Sequence, residues 1–149
     1  MKVNSKAPSF SLPSTSNNEY SLKDSLGKYI VLYFYPKDDT PSCTTEACHF
    51  RDDFKVLTSL GAKVIGVSID DSFSHKKFVE KYNLPFPLLS DISGEVASRY
   101  GALNNFLFIK LAKRYTFLIS PQGKIAKIYL NVDTSKHSQE IIEDLKLLK

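Results

Sequence analysis

The chain has 149 residues, enough for one domain with a sizeable core. Its 42% hydrophobic and 24% charged residues are ordinary for a globular protein, and no apolar run approaches the length that spans a bilayer. The 20 lysines and arginines exceed the 16 acids to give a net charge of +4, but they are scattered rather than clustered with aromatic readers, which argues against nucleic-acid binding.

The N-terminus, MKVNSKAPSF, lacks the apolar stretch of a secretory signal, so a cytosolic protein without a membrane partner is expected. The segment FSLPSTSNNEYSL alternates apolar and polar residues on either side of SNN, a hairpin pattern. YIVLYFYP (29–36) is a continuous apolar run, as in a central strand covered on both faces. A helical pattern from about 42 to 60 follows and stops at Gly61. AKVIGVSID (62–70) reads as a second buried strand. SFSHKKFVEKYN (72–83) reads as a helix with Phe73, Phe78, Val79 and Tyr82 inward. Next come a short strand near Pro87–Leu89, a short helix ended by Gly101, and a loop. RYTFLIS-PQGK-IAKIYL (114–130) is a second hairpin, and 135–148 a last helix with Ile141, Ile142, Leu145 and Leu148 on one face. With no repeat and no linker, residues 1–149 are expected to form one α/β domain, a mixed central sheet flanked by helices.

Both cysteines lie in PSCTTEACHF, residues 41–50. In a reducing cytosol they are expected to be free, catalytic or metal-bound rather than permanently bridged. Thr40 suits an N-cap and Pro41 the first helical position, which puts Cys43 third in the helix. There the Thr40 hydroxyl would accept the Cys43 N–H, and the helix dipole would favour an anion. Cys43, Ala47, Phe50, Phe54 and Leu57 follow a 4-3-4-3 pattern, so the thiol faces the core. A buried, inert cysteine fits this placement as well.

Cys48 narrows the choice. Five helical residues amount to a rise of about 7.5 Å and a rotation of about 140°, so the two α-carbons would stand roughly 8.6 Å apart. A disulfide spans roughly 4.4–6.8 Å. The bridge therefore cannot form on an intact helix and can form if its first turns unwind. This permits a cycle in which Cys43 is oxidised to a sulfenic acid and Cys48 condenses with it. A role-free surface cysteine is the alternative for Cys48. An arginine near the thiol would stabilise charge at an attacked peroxide. Of Arg51, Arg99 and Arg114, the first two read as surface residues, and Arg114 opens a strand at a sheet edge. His49 beside Cys48 hints at metal, but C-x₄-C-H lacks the usual spacing and a clear fourth ligand.

YFYPKDDTPSCTTEACHFRDDF closely resembles the active-site segment of the bacterioferritin comigratory protein (peroxiredoxin Q) group of peroxiredoxins. The family's P-x-x-x-T-x-x-C signature is Pro36, Thr40 and Cys43 here, and the likeness runs on through GVSIDDSFSHKKFVEKYNLPFPLLSD and RYTFLISPQGKI. The resemblance implies a thioredoxin-like fold with an N-terminal β-hairpin extension and a peroxidase acting on hydrogen peroxide and organic hydroperoxides. It makes Cys43 the peroxidatic and Cys48 the resolving cysteine, joined as a Cys43–Cys48 disulfide in the cycle. It has Thr40 bond the thiolate and peroxide, Pro36 shield the pocket, Arg114 activate, and Glu46 orient that arginine. It further implies a monomer recycled by thioredoxin or a similar dithiol, with neither metal nor organic cofactor. Ser42 and Ser120 stand where the family often has glycine and aspartate. Two other readings compete. A general thiol–disulfide oxidoreductase would present C-x-x-C at the helix start. A thioredoxin-like binding module would leave Thr40, Pro36 and Arg114 without a shared purpose.

Overall fold

A computed structural model of the chain describes residues 1–16 and 19–148. Strands β1 (Ser11–Pro13) and β2 (Glu19–Ser21) pair antiparallel as the N-terminal hairpin. Asn17 and Asn18 of its expected turn lie outside the described residues. The central sheet has five strands: β3 (Tyr29–Phe34), β4 (Ala62–Ser68), β5 (Leu88–Ser90), β8 (Thr116–Ile119) and β9 (Ile125–Tyr129). Their order is β5-β4-β3-β8-β9, parallel across the first three and antiparallel at β3–β8 and β8–β9.

The apolar run of β3 serves both faces. Val31 and Tyr33 join Phe50, Phe78, Ile141 and Leu145 on one side. Ile30, Leu32 and Phe34 join Ile65, Val96, Tyr100 and Phe117 on the other. Helices α1 (Pro41–Asp52), α2 (Phe54–Ser59), α3 (Ser72–Tyr82) and α5 (His137–Leu148) supply the first face, and α4 (Glu95–Arg99) packs on the second with the N-terminal segment. At Gly66 in β4 the chain passes close beneath Tyr33, where a Cβ would sit 2.9 Å from Cζ of that ring.

Several expectations change. The helix foreseen from 42 to 60 is two helices, broken at Asp53 (φ −95°, ψ 7°). The Asp53 carboxylate accepts from Ser138 Oγ at 2.6 Å and Gln139 Nε2 at 3.1 Å, so the first turn of α5 holds the break in place. In α3 Phe78 is buried and Val79 and Tyr82 pack against the core as expected, but Phe73 is exposed and His75 is buried, because the imidazole finds polar partners inside that offset its burial. Leu148 is exposed at the end of α5. The loop after Gly101 is a further hairpin, β6 (Leu103–Phe106) with β7 (Ile109–Ala112). Finally, β8 is an interior strand, so Arg114 precedes the middle of the sheet rather than its edge.

Candidate active site

Helix α1 starts as its sequence requires. Thr40 is extended at the N-cap (φ −92°, ψ 157°), Pro41 is the first helical residue, and Cys43 is the third, only 1% exposed. One expected contact is replaced. The Thr40 hydroxyl does not accept the Cys43 N–H but donates to the Lys37 carbonyl oxygen at 3.0 Å. Asp39, at φ 57°, folds the Lys37–Thr40 loop back on itself and brings that carbonyl within reach. Among the described residues no donor meets the hydroxyl's own lone pairs.

Arg114 meets the thiol from the strand side. Its Nη2 lies 3.3 Å from Cys43 Sγ, and its Nη1 lies 3.0 Å from Glu46 Oε1. One guanidinium thus bridges the sulfur and a carboxylate one helical turn beyond it. Burial works against the Arg114 charge, but its contacts with Cys43 and Glu46 prevail and raise its pKa. Pro36 and Arg114 share the lining of a cleft of about 740 Å³ with Leu111, Ala112, Leu130 and Val132. The cleft reaches the guanidinium, and the thiol lies behind it. Arg51, on the outer side of α1, donates to the Tyr82 carbonyl oxygen at 2.8 Å, and Arg99 to that of Ser9 at 2.6 Å.

Glu46 is the least comfortable group here. It is 1% exposed, and among the described residues its Oε2 has no hydrogen-bond partner. Burial pushes its pKa up to about 7 despite the opposing pull of Arg114. The closed helix therefore binds this proton more tightly than water-exposed glutamate does. Its contribution to helix closure is fully present below the ordinary value of 4.5 and is lost as pH rises through about 7. The loss amounts to about 3 kcal/mol. Opening of α1, read by amide exchange, is expected to become easier between about pH 5 and 8 in the wild type and to lose this dependence in Glu46→Gln. Equal pH dependence in both would contradict this.

Cys48 is half-buried, with burial pushing its thiol up and Arg51 pulling it down. Both cysteines are free. The face that α1 buries carries Cys43, Glu46, Ala47 and Phe50. Only Phe50 is a large apolar anchor, contributing about 1.5–3 kcal/mol. It lies beyond Cys48, so the first turns can open without removing it from the core.

The composition of the loop before α1 gave no hint of how it is held. Tyr35 Oη donates to Asp38 Oδ1 at 2.6 Å, Ser74 Oγ donates to Asp38 Oδ2 at 2.7 Å, and His75 Nδ1 meets the same oxygen at 2.7 Å. His75 Nε2 faces the Leu89 carbonyl oxygen at 2.9 Å. Next along the chain, Asp39 accepts from Lys81 Nζ and Tyr82 Oη, both at 2.7 Å. Helix α3 therefore grips two consecutive residues of the loop that presents Thr40. Asp38, Asp70 and His75 bring donors within 4.8 Å of one another, as a metal would need. Those atoms are taken up by hydrogen bonds among themselves and with Tyr35, Ser68 and Ser74.

A buried cysteine on the first turn of a helix is thus bonded by an arginine from the segment between β7 and β8. Residues 3–128 match the AhpC/TSA family model. The chain belongs to the AhpC/TSA family. It is 44% identical to the putative peroxiredoxin bcp of Coxiella burnetii, covering 95% of this chain and 97% of that protein. Among solved structures, peroxidoxin BcpB of Mycobacterium tuberculosis superposes with a TM-score of 0.94 at 32% identity, over 100% of this chain and 99% of that one. The bacterioferritin comigratory protein of Xanthomonas campestris, described for alkyl peroxide reduction, gives a TM-score of 0.86 at 31% identity over 93% and 91%. The fold is thus the thioredoxin-like peroxiredoxin fold with an N-terminal hairpin, and the chain is a Bcp/PrxQ-type thiol peroxidase. Its two cysteines are consistent with an intramolecular disulfide mechanism. No helix among the described residues is long and apolar enough to cross a membrane.

Proposed function

We propose that this peroxiredoxin reduces hydrogen peroxide and organic hydroperoxides through a Cys43–Cys48 disulfide and is recycled by thioredoxin or a similar dithiol. The observation that carries the reading is the 3.3 Å contact of Arg114 Nη2 with Sγ of a cysteine on the first turn of α1. The Cys43 thiolate attacks the distal peroxide oxygen. The O–O bond breaks, an S–O bond forms, and the leaving oxygen departs as water or an alcohol after taking a proton. Arg114 bears on the charge that moves from sulfur to the leaving oxygen, and the Thr40 hydroxyl orients the peroxide. Pro36 walls the pocket, and Glu46 holds Arg114 in its fork. No metal or organic cofactor takes part.

Resolution follows from the shape of α1. Its first turns open, Cys48 attacks the sulfenic sulfur, and water leaves as the disulfide forms. The break at Asp53 confines the opening to α1 and leaves α2 on the sheet. Residues 1–149 act as one monomeric domain in the cytosol. The alkyl peroxide reduction described for the Xanthomonas campestris relative supports the organic hydroperoxide substrate.

A coupled assay with thioredoxin, thioredoxin reductase and NADPH tests the scheme. Wild type is expected to turn over, and Cys48→Ser to consume one equivalent of peroxide and stop. Continued cycling of Cys48→Ser on thioredoxin would place resolution outside the chain.

A further inference from the structure

The β6–β7 hairpin presents an apolar tip that none of the described residues covers. Phe106, Leu107 and Ile109 are 72%, 77% and 64% exposed, and Phe108 is fully exposed. The hairpin's base is anchored, with Ala112 in the core and Leu103 packed against it, so the tip projects from a fixed root. Leu107 and Phe108 form a two-residue turn in which Leu107 takes φ 58°, a position where such turns favour glycine. The chain thus accepts backbone strain at a site that holds a large apolar side chain in water.

Charge indicates what covers it. No carboxylate occurs between Glu95 and Asp133, whereas Lys110 and Lys113 follow the tip directly and make no ion pair among the described residues. A few bulky apolar residues at a convex tip, with Lys110 beside them and Lys113 at the root, match the boundary between anionic headgroups and acyl chains. A second copy fits poorly, because a symmetric contact would set the lysines against each other. We propose that the β6–β7 hairpin docks this peroxiredoxin on an anionic phospholipid surface.

The consequence for substrate follows from the cleft. Leu111 and Ala112 of β7 line it together with Lys113, Asp133 and Arg114, so the hairpin that carries the tip also walls the cleft at the guanidinium beside Cys43. A docked molecule would meet acyl hydroperoxides where they form, in the bilayer. The expectation that the chain has no membrane partner rested on the lack of a long apolar run, which says nothing of a four-residue tip.

Sedimentation with vesicles tests the proposal. Wild type is expected to sediment with vesicles of equal parts phosphatidylglycerol and phosphatidylcholine, but not with phosphatidylcholine alone. Leu107→Asp/Phe108→Asp is expected to weaken binding by roughly tenfold or more while leaving reduction of hydrogen peroxide in solution unchanged. Leu107→Gly, which relieves the turn, is expected to raise thermal stability and weaken vesicle binding. Three results would overturn the proposal. Wild type could fail to prefer anionic vesicles, or the double variant could bind them as well as wild type. Or the double variant could leave vesicle binding intact and instead abolish self-association or raise the KM for thioredoxin, which would assign the tip to a second copy or to the reductant.

Discussion

Cys43→Ser is expected to abolish peroxide turnover, and Arg114→Gln to lower the rate constant for Cys43 oxidation by about 10²–10³. The serine hydroxyl stays protonated at neutral pH, so the first replacement removes the nucleophile while keeping the shape of the site. The second keeps Cys43 but removes the cation 3.3 Å from its sulfur. It also leaves the Glu46 carboxylate, already short of a partner at Oε2, with no counter-charge. Glutamine rather than alanine is the informative choice, since it preserves volume and a donor while losing charge. Stopped-flow oxidation by hydrogen peroxide separates the effects. Residual turnover in Cys43→Ser, or an Arg114→Gln rate within a few-fold of wild type, would contradict the roles given to these residues.

His75→Ala is expected to lower the unfolding free energy by roughly 3–5 kcal/mol, through a ring-sized cavity and a buried hydrogen-bond partner lost from Asp38. His75 is fully buried and Asp38 nearly so, and the imidazole is one of three groups that meet the Asp38 carboxylate. Without it, the carboxylate keeps Tyr35 and Ser74 but loses its third partner, and a ring-sized hole opens under α3. Urea unfolding of His75→Ala, Asp38→Ala and the double variant would give the pair's coupling. The double variant is expected to lose less than the sum of the single losses, because neither residue is left facing the gap of the other. Additive losses would mean that the two residues act independently. Since Asp38 precedes the Asp39–Thr40 turn, the single variants are also expected to slow Cys43 oxidation more than they raise the KM for the reductant.

The strands were legible because burial on both sheet faces forces continuous apolar runs, as in 29–36 and 62–70. The start of α1 was legible because Thr40 and Pro41 have narrow conformational uses. Asp53 was not read as a break, since what ends α1 there is a contact with Ser138 and Gln139, far along the chain. Phe73, expected inside, lies outside while His75 is buried for a related reason: periodicity ranks phenylalanine above histidine for the core, and only the fold brings Asp38 and the Leu89 carbonyl to the imidazole. The β6–β7 hairpin hid because its tip is Leu-Phe, with none of the glycine or asparagine that marks such turns. Arg114 was read as a candidate from its place before a strand. Its fork between Cys43 and Glu46 depends on β8 lying beside β3, a pairing that local sequence does not state.

The central claim is that α1 must open for Cys43 and Cys48 to join. Hydrogen exchange of the reduced protein and of the protein oxidised with one equivalent of hydrogen peroxide tests it directly. Loss of amide protection across residues 43–50 in the disulfide form, with α2 and β3 still protected, is the expected result. Unchanged protection across 43–50 in protein shown by mass to carry the Cys43–Cys48 disulfide would contradict it.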